Sequence, residues 1–276
     1  MTGPVEFSRR PDLERPTLVV SWTADAAGLG ETVTGYLNRK LENRPFCHID
    51  GVDFFAMDGV AIESDIIQFT EAAFYAGARK DIVVFRSSPP RYDWDRFLNL
   101  VLDVAQRDCG VAELYAIGGM VSLVPHVAPR EMLANFSTLE MKETLSSQNM
   151  SMTWNYETPP GQRPTLNSYL LWEAKRRNLP AATLWVPVPF YLSSTGDPKA
   201  QLRVLEFFNR RLDLCMGFDD LDEAVRRQNR AIARARQESP EIDGFITRIE
   251  AGETLSPEGS QRLVSYIEKA LAAPHA

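Results

Sequence analysis

The sequence predicts an α/β protein, a three-layer α/β/α arrangement in which a mostly parallel sheet is covered by helices on both faces. Three observations predict it: short β-branched apolar runs recur along the chain, helix-period segments alternate with them, and Pro and Gly mark the joints. Thr17 to Trp22 (TLVVSW), Asp81 to Phe85 (DIVVF), Leu114 to Ile117 and Ala182 to Val188 (ATLWVPV) are the clearest runs. Such near-continuous apolar character suits strands buried on both sides.

Taken in order, a Pro-bounded arm leads to the Thr17 strand, and the small residues of Asp25 to Gly30 (DAAGLG) turn the chain into a helix through Leu29, Val33, Tyr36, Leu37 and Leu41. Phe46 to Met57 reads as a second strand among the turn signals Asp50, Gly51, Asp58 and Gly59, and Ile62 to Phe69 as a further extended stretch. After the Asp81 strand, Asp93 caps a helix with the stripe Phe97, Leu98, Val101, Leu102 and Ala105. The Leu114 strand is expected to stop at Gly118 and Gly119, before a Pro-rich irregular stretch in which Ser137 to Leu145 is a short element. Leu166 to Arg177 is helical, the Ala182 strand follows, and Asp197-Pro198 starts a helix through Leu202, Leu205, Phe208 and Leu212.

From about Phe218 no strand-like run remains. Asp219, Asp220, Asp222 and Glu223 crowd the start of one helix, where the macrodipole favours negative charge, with i,i+4 pairs from Asp222 to Arg226 and Glu223 to Arg227. Ser239-Pro240 and Ser256-Pro257 start two more. The expected organisation is an α/β domain over 1–216 and a helical extension over 217–276.

At 276 residues the chain can bury a core without disulfide or metal. Its 37 acidic against 30 basic residues give a net charge of −7, which disfavours nucleic acid and anionic membrane as partners. No run of 18 apolar residues spans a membrane, and the polar Met1 to Arg15 is no secretory signal. Cys47, Cys109 and Cys215 fit no CxxC or Cys/His ligand spacing. They read as buried thiols in a reducing cytoplasm, and neither metal nor cofactor is expected. In that compartment the sequons at Asn135 and Asn149 carry no meaning.

Gly28 and Gly30 lie where an α/β sheet can offer backbone amides to an anion, yet neither GxGxxG nor GxxxxGK[ST] is present, and close strand-on-helix packing is the plainer use. Asp25 either meets a ligand or caps the helix, and capping is preferred. His126, in Val-Pro-His-Val-Ala-Pro-Arg with Arg130, sits in a loop at a strand end. It is either a general acid/base or a residue that orders its loop. Trp154, Tyr156, Trp172, Trp185, Phe190 and Tyr191 concentrate aromatic area for a core, pocket or subunit contact. Arg226, Arg230 and Arg234 share a helix face, paired with carboxylates or aimed at an acidic partner. No GxSxG, HExxH or SxxK motif occurs.

WTADAAGLG at Trp22 to Gly30, SSPPRYDW ending at Trp94, VPHVAPRE at Val124 to Glu131 and LWVPVPFYL at Leu184 to Leu192 together resemble the proteasome assembly chaperone family of the second-chaperone type, in its bacterial branch with a C-terminal helical extension. Phe190 stands where that family often has a His, and Val127-Ala128 where it has Thr-Arg. The resemblance implies a fold similar to nucleoside phosphorylases and peptidyl hydrolases, a homo-oligomer with a trimer as first guess, and a proteasome-related protein partner. Family members that dock through their tails end in a hydrophobic residue, a Tyr and a final residue. This chain ends Ala273-Pro274-His275-Ala276, so docking of that type is not expected.

Two functions follow as expectations. The first is a non-catalytic, self-associating protein-binding or assembly-chaperone-like protein. The second is a small-molecule enzyme of hydrolase or phosphorylase type, with a site near Asp25, Gly28, His126 and Arg130. Candidate binding residues for either are Asp25, Gly28, Gly30, His126, Arg130, Phe190 and Tyr191.

Overall fold

The structure is a computed structural model that describes residues 4–55, 61–63, 66–68, 72–148, 150–151 and 157–272. Met57, Asp58, Gly59, Asn149, Trp154, Tyr156, Ala273 to Ala276 and parts of the Ile62 to Phe69 stretch lie outside them. The chain divides into two compact units, one of Met1–Ala24, Gly30–Gly118 and Leu133–Leu184, the other of Asp25–Leu29, Gly119–Met132 and Trp185–Ala276.

The first unit contains β1 (Val5–Phe7), β2 (Thr17–Trp22), α1 (Leu29–Lys40), β3 (Arg44–Ile49), β4 (Ala61–Glu63), β5 (Ile66–Gln68), β6 (Ala72–Ala76), β7 (Ile82–Ser87) and α2 (Trp94–Asp103). A π-helical turn over Val104–Asp108 extends α2. It continues with β8 (Glu113–Ser122), β9 (Leu133–Phe136), α3 (Leu139–Thr144), α4 (Leu166–Arg176) and β10 (Ala181–Pro189), of which β8 and β10 run on into residues of the second unit. Eight strands form one mixed sheet in the order β1-β3-β6-β7-β2-β8-β10-β9, and β4 and β5 pair with each other.

The fold is α/β, as the alternation predicts. At the centre β2 pairs in parallel with both β7 and β8, in the registers Val19↔Val84 and Val19↔Tyr115. Every residue of β2 is buried, so both faces of the sheet are covered there. On one side the strands turn antiparallel through β6, β3 and β1. The N-terminal arm thus supplies an edge strand, because Val5 and Phe7 sit opposite Ile49 and Cys47 and give a strand its minimal apolar pairing. The second expected strand ends at Ile49, since Gly51 to Phe54 fold back as a turn closed by the Phe54 N–H onto the Gly51 carbonyl at 2.9 Å.

Phe74, Phe85, Phe97 and Trp22 form an aromatic core in this unit, with Trp22 edge-on to Phe85 at 5.9 Å. The indole N–H donates to Asn167 Oδ1 at 2.6 Å, and Asn167 Nδ2 donates to the Ile117 carbonyl at 3.1 Å, so the polar atoms buried with the rings are matched. Cys47 and Cys109 are buried and their thiols are pushed up to about 12, chiefly by burial, whereas Cys215 is exposed, contrary to expectation. Asp93 caps α2 as expected, accepting the Arg96 N–H.

In the second unit, α5 (Pro198–Arg211), α6 (Asp219–Glu238), α7 (Pro240–Glu250) and α8 (Pro257–Ala272) follow one another. The prolines that open α5, α7 and α8 occupy the first helical turn, where they lose no hydrogen bond, and Asp197, Ser239 and Ser256 accept the N–H groups that follow. Leu221, Ile232, Ile242, Ile246, Leu263 and Ile267 bury the inner faces of α6, α7 and α8. The expected i,i+4 ion pairs are replaced by Glu223 holding Arg226 at 3.0 Å and Arg230 at 2.7 Å. Among the described residues no helix is long and apolar enough to cross a membrane.

Candidate functional site

The second unit gathers most of the residues singled out in the sequence. The turn Asp25 to Gly28 has left-handed backbone at Ala27 (φ 62°) and Gly28 (φ 56°), and the Gly28 N–H returns to the Asp25 carbonyl at 3.1 Å. The Asp25 side chain makes no capping hydrogen bond to the 3-10 turn Ala26–Gly28 that precedes α1. Its Oδ2 accepts the Gly119 N–H at 2.8 Å, while the Ala27 N–H donates to the Ser193 carbonyl at 2.7 Å. Gly119 does not end its strand, which continues to Ser122. It lacks a side chain because a Cβ would lie 2.2 Å from the Ala26 carbonyl oxygen. Gly30 belongs to the first unit, near the start of α1, where its carbonyl accepts Thr34 Oγ1 at 2.7 Å.

Pro125 to Ala128 form a turn closed by the Ala128 N–H onto the Pro125 carbonyl at 3.1 Å. Tyr191, in the 3-10 turn Phe190–Leu192 after β10, is fully buried beneath it. Its hydroxyl accepts the His126 backbone N–H at 2.7 Å and lies 3.0 Å from His126 Nδ1. The hydroxyl donates to Nδ1 when the imidazole carries its hydrogen on Nε2, and accepts from Nδ1 in the other neutral tautomer. Burial is the main force lowering His126 to about 4, opposed by Glu250 and reinforced by Lys199, Arg236 and Arg130. Burial also pushes the Tyr191 hydroxyl up to about 12. Half-buried Phe190 stacks edge-on to Tyr191 at 5.3 Å.

Arg130 is buried, and its Nε donates to Asp197 Oδ2 at 2.6 Å. Its remaining donors reach the carbonyls of Ala128 at 2.8 Å, Pro125 at 3.3 Å and His126 at 3.5 Å. Lys199 Nζ donates to the His126 carbonyl at 2.6 Å and the Val127 carbonyl at 3.2 Å. Two cations therefore draw the carbonyls of the 125–128 turn inward, and Asp197 pairs with one of them, Arg130. On the outside of the same segment Val121, Leu123 and Val127 are 58%, 51% and 55% exposed.

The structure thus joins His126 to Tyr191 and Phe190, and Arg130 to Asp197, within one framework; Asp25 and Gly28 belong to the same unit at a separate contact with Gly119. The sequence does not mark Asp197 and Lys199 as partners of this loop, because Asp197-Pro198 signals only a helix start. The imidazole meets a tyrosine hydroxyl, and no carboxylate hydrogen-bonds it among the described residues. Nor do the described residues hold a group of three or more metal-ligating side chains. Trp172 is 54% exposed on α4 in the first unit, and Trp185 is half-buried.

A family model described as the PAC2 family matches residues 20–236. Among solved structures, a Mycobacterium tuberculosis protein of unknown function is similar at TM-score 0.74 and 20% identity, covering 98% of this chain and 91% of that one. A Pyrococcus furiosus protein described as an archaeal proteasome activator is similar at TM-score 0.68 and 19% identity, covering 84% and 98%. A Mycobacterium tuberculosis proteasome-assembly chaperone homologue is similar at TM-score 0.65 and 17% identity, covering 79% and 94%. No curated protein matches the sequence.

Proposed function

The chain belongs to the PAC2 family, and from that premise we propose that it is a non-catalytic, cytoplasmic protein-binding protein of the assembly-chaperone kind, which self-associates and takes a proteasome-related protein as partner. One observation carries this reading: in the 119–132 segment the Arg130 guanidinium and the carbonyls of the 125–128 turn are bonded inward, and the apolar side chains Val121, Leu123 and Val127 are turned to solvent. A catalytic loop needs reactive groups with spare bonding capacity toward a substrate. A binding surface needs a held backbone and exposed apolar area, and the inward hydrogen bonds from Arg130 and Lys199 together with the exposure of Val121, Leu123 and Val127 support that use.

Two relatives described as a proteasome activator and a proteasome-assembly chaperone homologue support the choice of partner class. In this reading the α/β body through residue 216 carries self-association, with a trimer as the first count, and the helices of 217–276 are an extension that adds surface. Gel filtration with purified proteasome core subunits tests it. Co-elution that Leu123→Asp/Val127→Asp abolishes, with stability unchanged, is the expected result. Separate elution of the wild-type chain from every core subunit overturns the reading.

A further inference from the structure

Helix α6 turns Leu221, Ile232 and Ala235 inward and leaves a charged face exposed. Along that face Asp219, Glu223, Arg226 and Arg230 are spaced by four, three and four residues, which at about 3.6 residues per turn makes one stripe. The stripe runs acid, acid, base, base. Turned end for end about an axis between residues 224 and 225, it becomes its own complement: Asp219 meets Arg230, Glu223 meets Arg226, and on the flank Asp222 meets Arg227.

Within a single chain the same charges are poorly matched. Glu223 alone serves both Arg226 and Arg230, while Asp219, Asp222, Arg227 and Arg234 form no ion pair among the described residues. Asp219 and Arg230 stand eleven residues apart, roughly 16 Å along a helix rising about 1.5 Å per residue, so they cannot satisfy each other in one chain. An acidic partner would use the arginines and repel the carboxylates. A second copy of this chain uses both.

We propose that α6 is a self-association surface on which two copies pair antiparallel across a two-fold axis, matching Asp219 with Arg230 and Glu223 with Arg226. This rests on the reading that the protein self-associates, and it adds a second contact, in the 217–276 extension, to the one proposed for the body. Exposed ion pairs are individually weak, so the contact is an equilibrium sensitive to concentration and salt, helped by the methylene stems of the arginines. Being isologous, it doubles whatever assembly the rest of the chain forms.

Light scattering of the full chain, with Asp219→Lys and Arg230→Glu prepared separately, tests the pairing. Each reversal alone sets like charges opposite each other twice per contact and is expected to weaken the doubling about tenfold or more. Mixing the two variants is expected to restore it, because the lysine introduced in one copy then faces the glutamate introduced in the other. Raising salt from about 20 mM to about 500 mM is expected to dissociate the wild-type pair. Since Asp219→Lys places a cation at a helix start, Glu223→Lys mixed with Arg226→Glu repeats the test inside the helix, with circular dichroism confirming folding.

Doubling that survives both single reversals, or single variants that stay undoubled when mixed, overturns the α6 pairing and leaves self-association through another surface standing. A wild-type chain that is monomeric at every salt and concentration overturns both. Capture of an acidic protein that Arg230→Glu abolishes, without any change in assembly, reassigns the face to that protein.

Discussion

Asp197 binds Arg130 Nε at 2.6 Å through Oδ2, while its Oδ1 accepts the N–H groups of Lys199 at 3.1 Å and Ala200 at 3.2 Å. One buried carboxylate thereby caps α5 and fixes the 125–130 turn beside it. The desolvation of both charges is offset by these hydrogen bonds, so the pair fixes geometry more than it adds net stability. Removing one partner is a different matter, because it strands the other charge in the interior.

Arg130→Met and Asp197→Leu are each expected to cost about 3–5 kcal/mol. The double variant is expected to cost less than the two combined, since no uncompensated charge remains. Urea denaturation of the four proteins checks this; strict additivity would show that the pair is not coupled.

Tyr191→Phe deletes the hydroxyl that serves both the backbone N–H and the ring nitrogen of His126. A loss of about 1–3 kcal/mol is expected, because both groups stay buried after the substitution. An unchanged denaturation midpoint would mean that water replaces the hydroxyl without penalty.

His126 gives the fold a pH dependence of known sign. Burial holds it near 4 in the folded chain against an ordinary value of 6.5, so between these values the unfolded chain binds a proton that the folded chain refuses. Stability therefore falls as pH drops through that window, by about 3 kcal/mol at pH 4 from this group alone. In His126→Asn the fall in stability from neutral pH to about 4 is expected to be smaller by about that amount. Denaturation curves across the range check it, and parallel profiles for the two proteins would count against a neutral, buried His126.

Gly119→Ala would place a methyl group 2.2 Å from the Ala26 carbonyl oxygen. The Asp25 to Gly119 contact must then open, at an expected loss of about 1–3 kcal/mol that a thermal melt would register. A melting temperature equal to wild type would show that the turn moves freely.

The parallel centre was legible in the sequence because β2 and β7 are short and apolar enough to have no other use, and the helix starts at Asp93, Asp197 and Ser239 were legible because capping is decided within three or four residues. What the sequence hid depends on contacts between distant positions. Val5 to Phe7 becomes a strand only through Cys47 to Ile49. Gly119 reads as a stop until the Ala26 carbonyl is seen to need its space. His126 shows its neutral, bonded state only once Tyr191, 65 residues away, is placed against it. Proximity of that kind leaves no local pattern in a single chain.

In the proposed function the 119–132 segment is a surface for protein contact. Amide hydrogen exchange with and without purified proteasome core subunits measures this most directly. New protection centred on Val121 to Val127 is expected. Binding that leaves those amides unchanged, or a turnover reaction that His126→Ala abolishes in the otherwise folded protein, would contradict it.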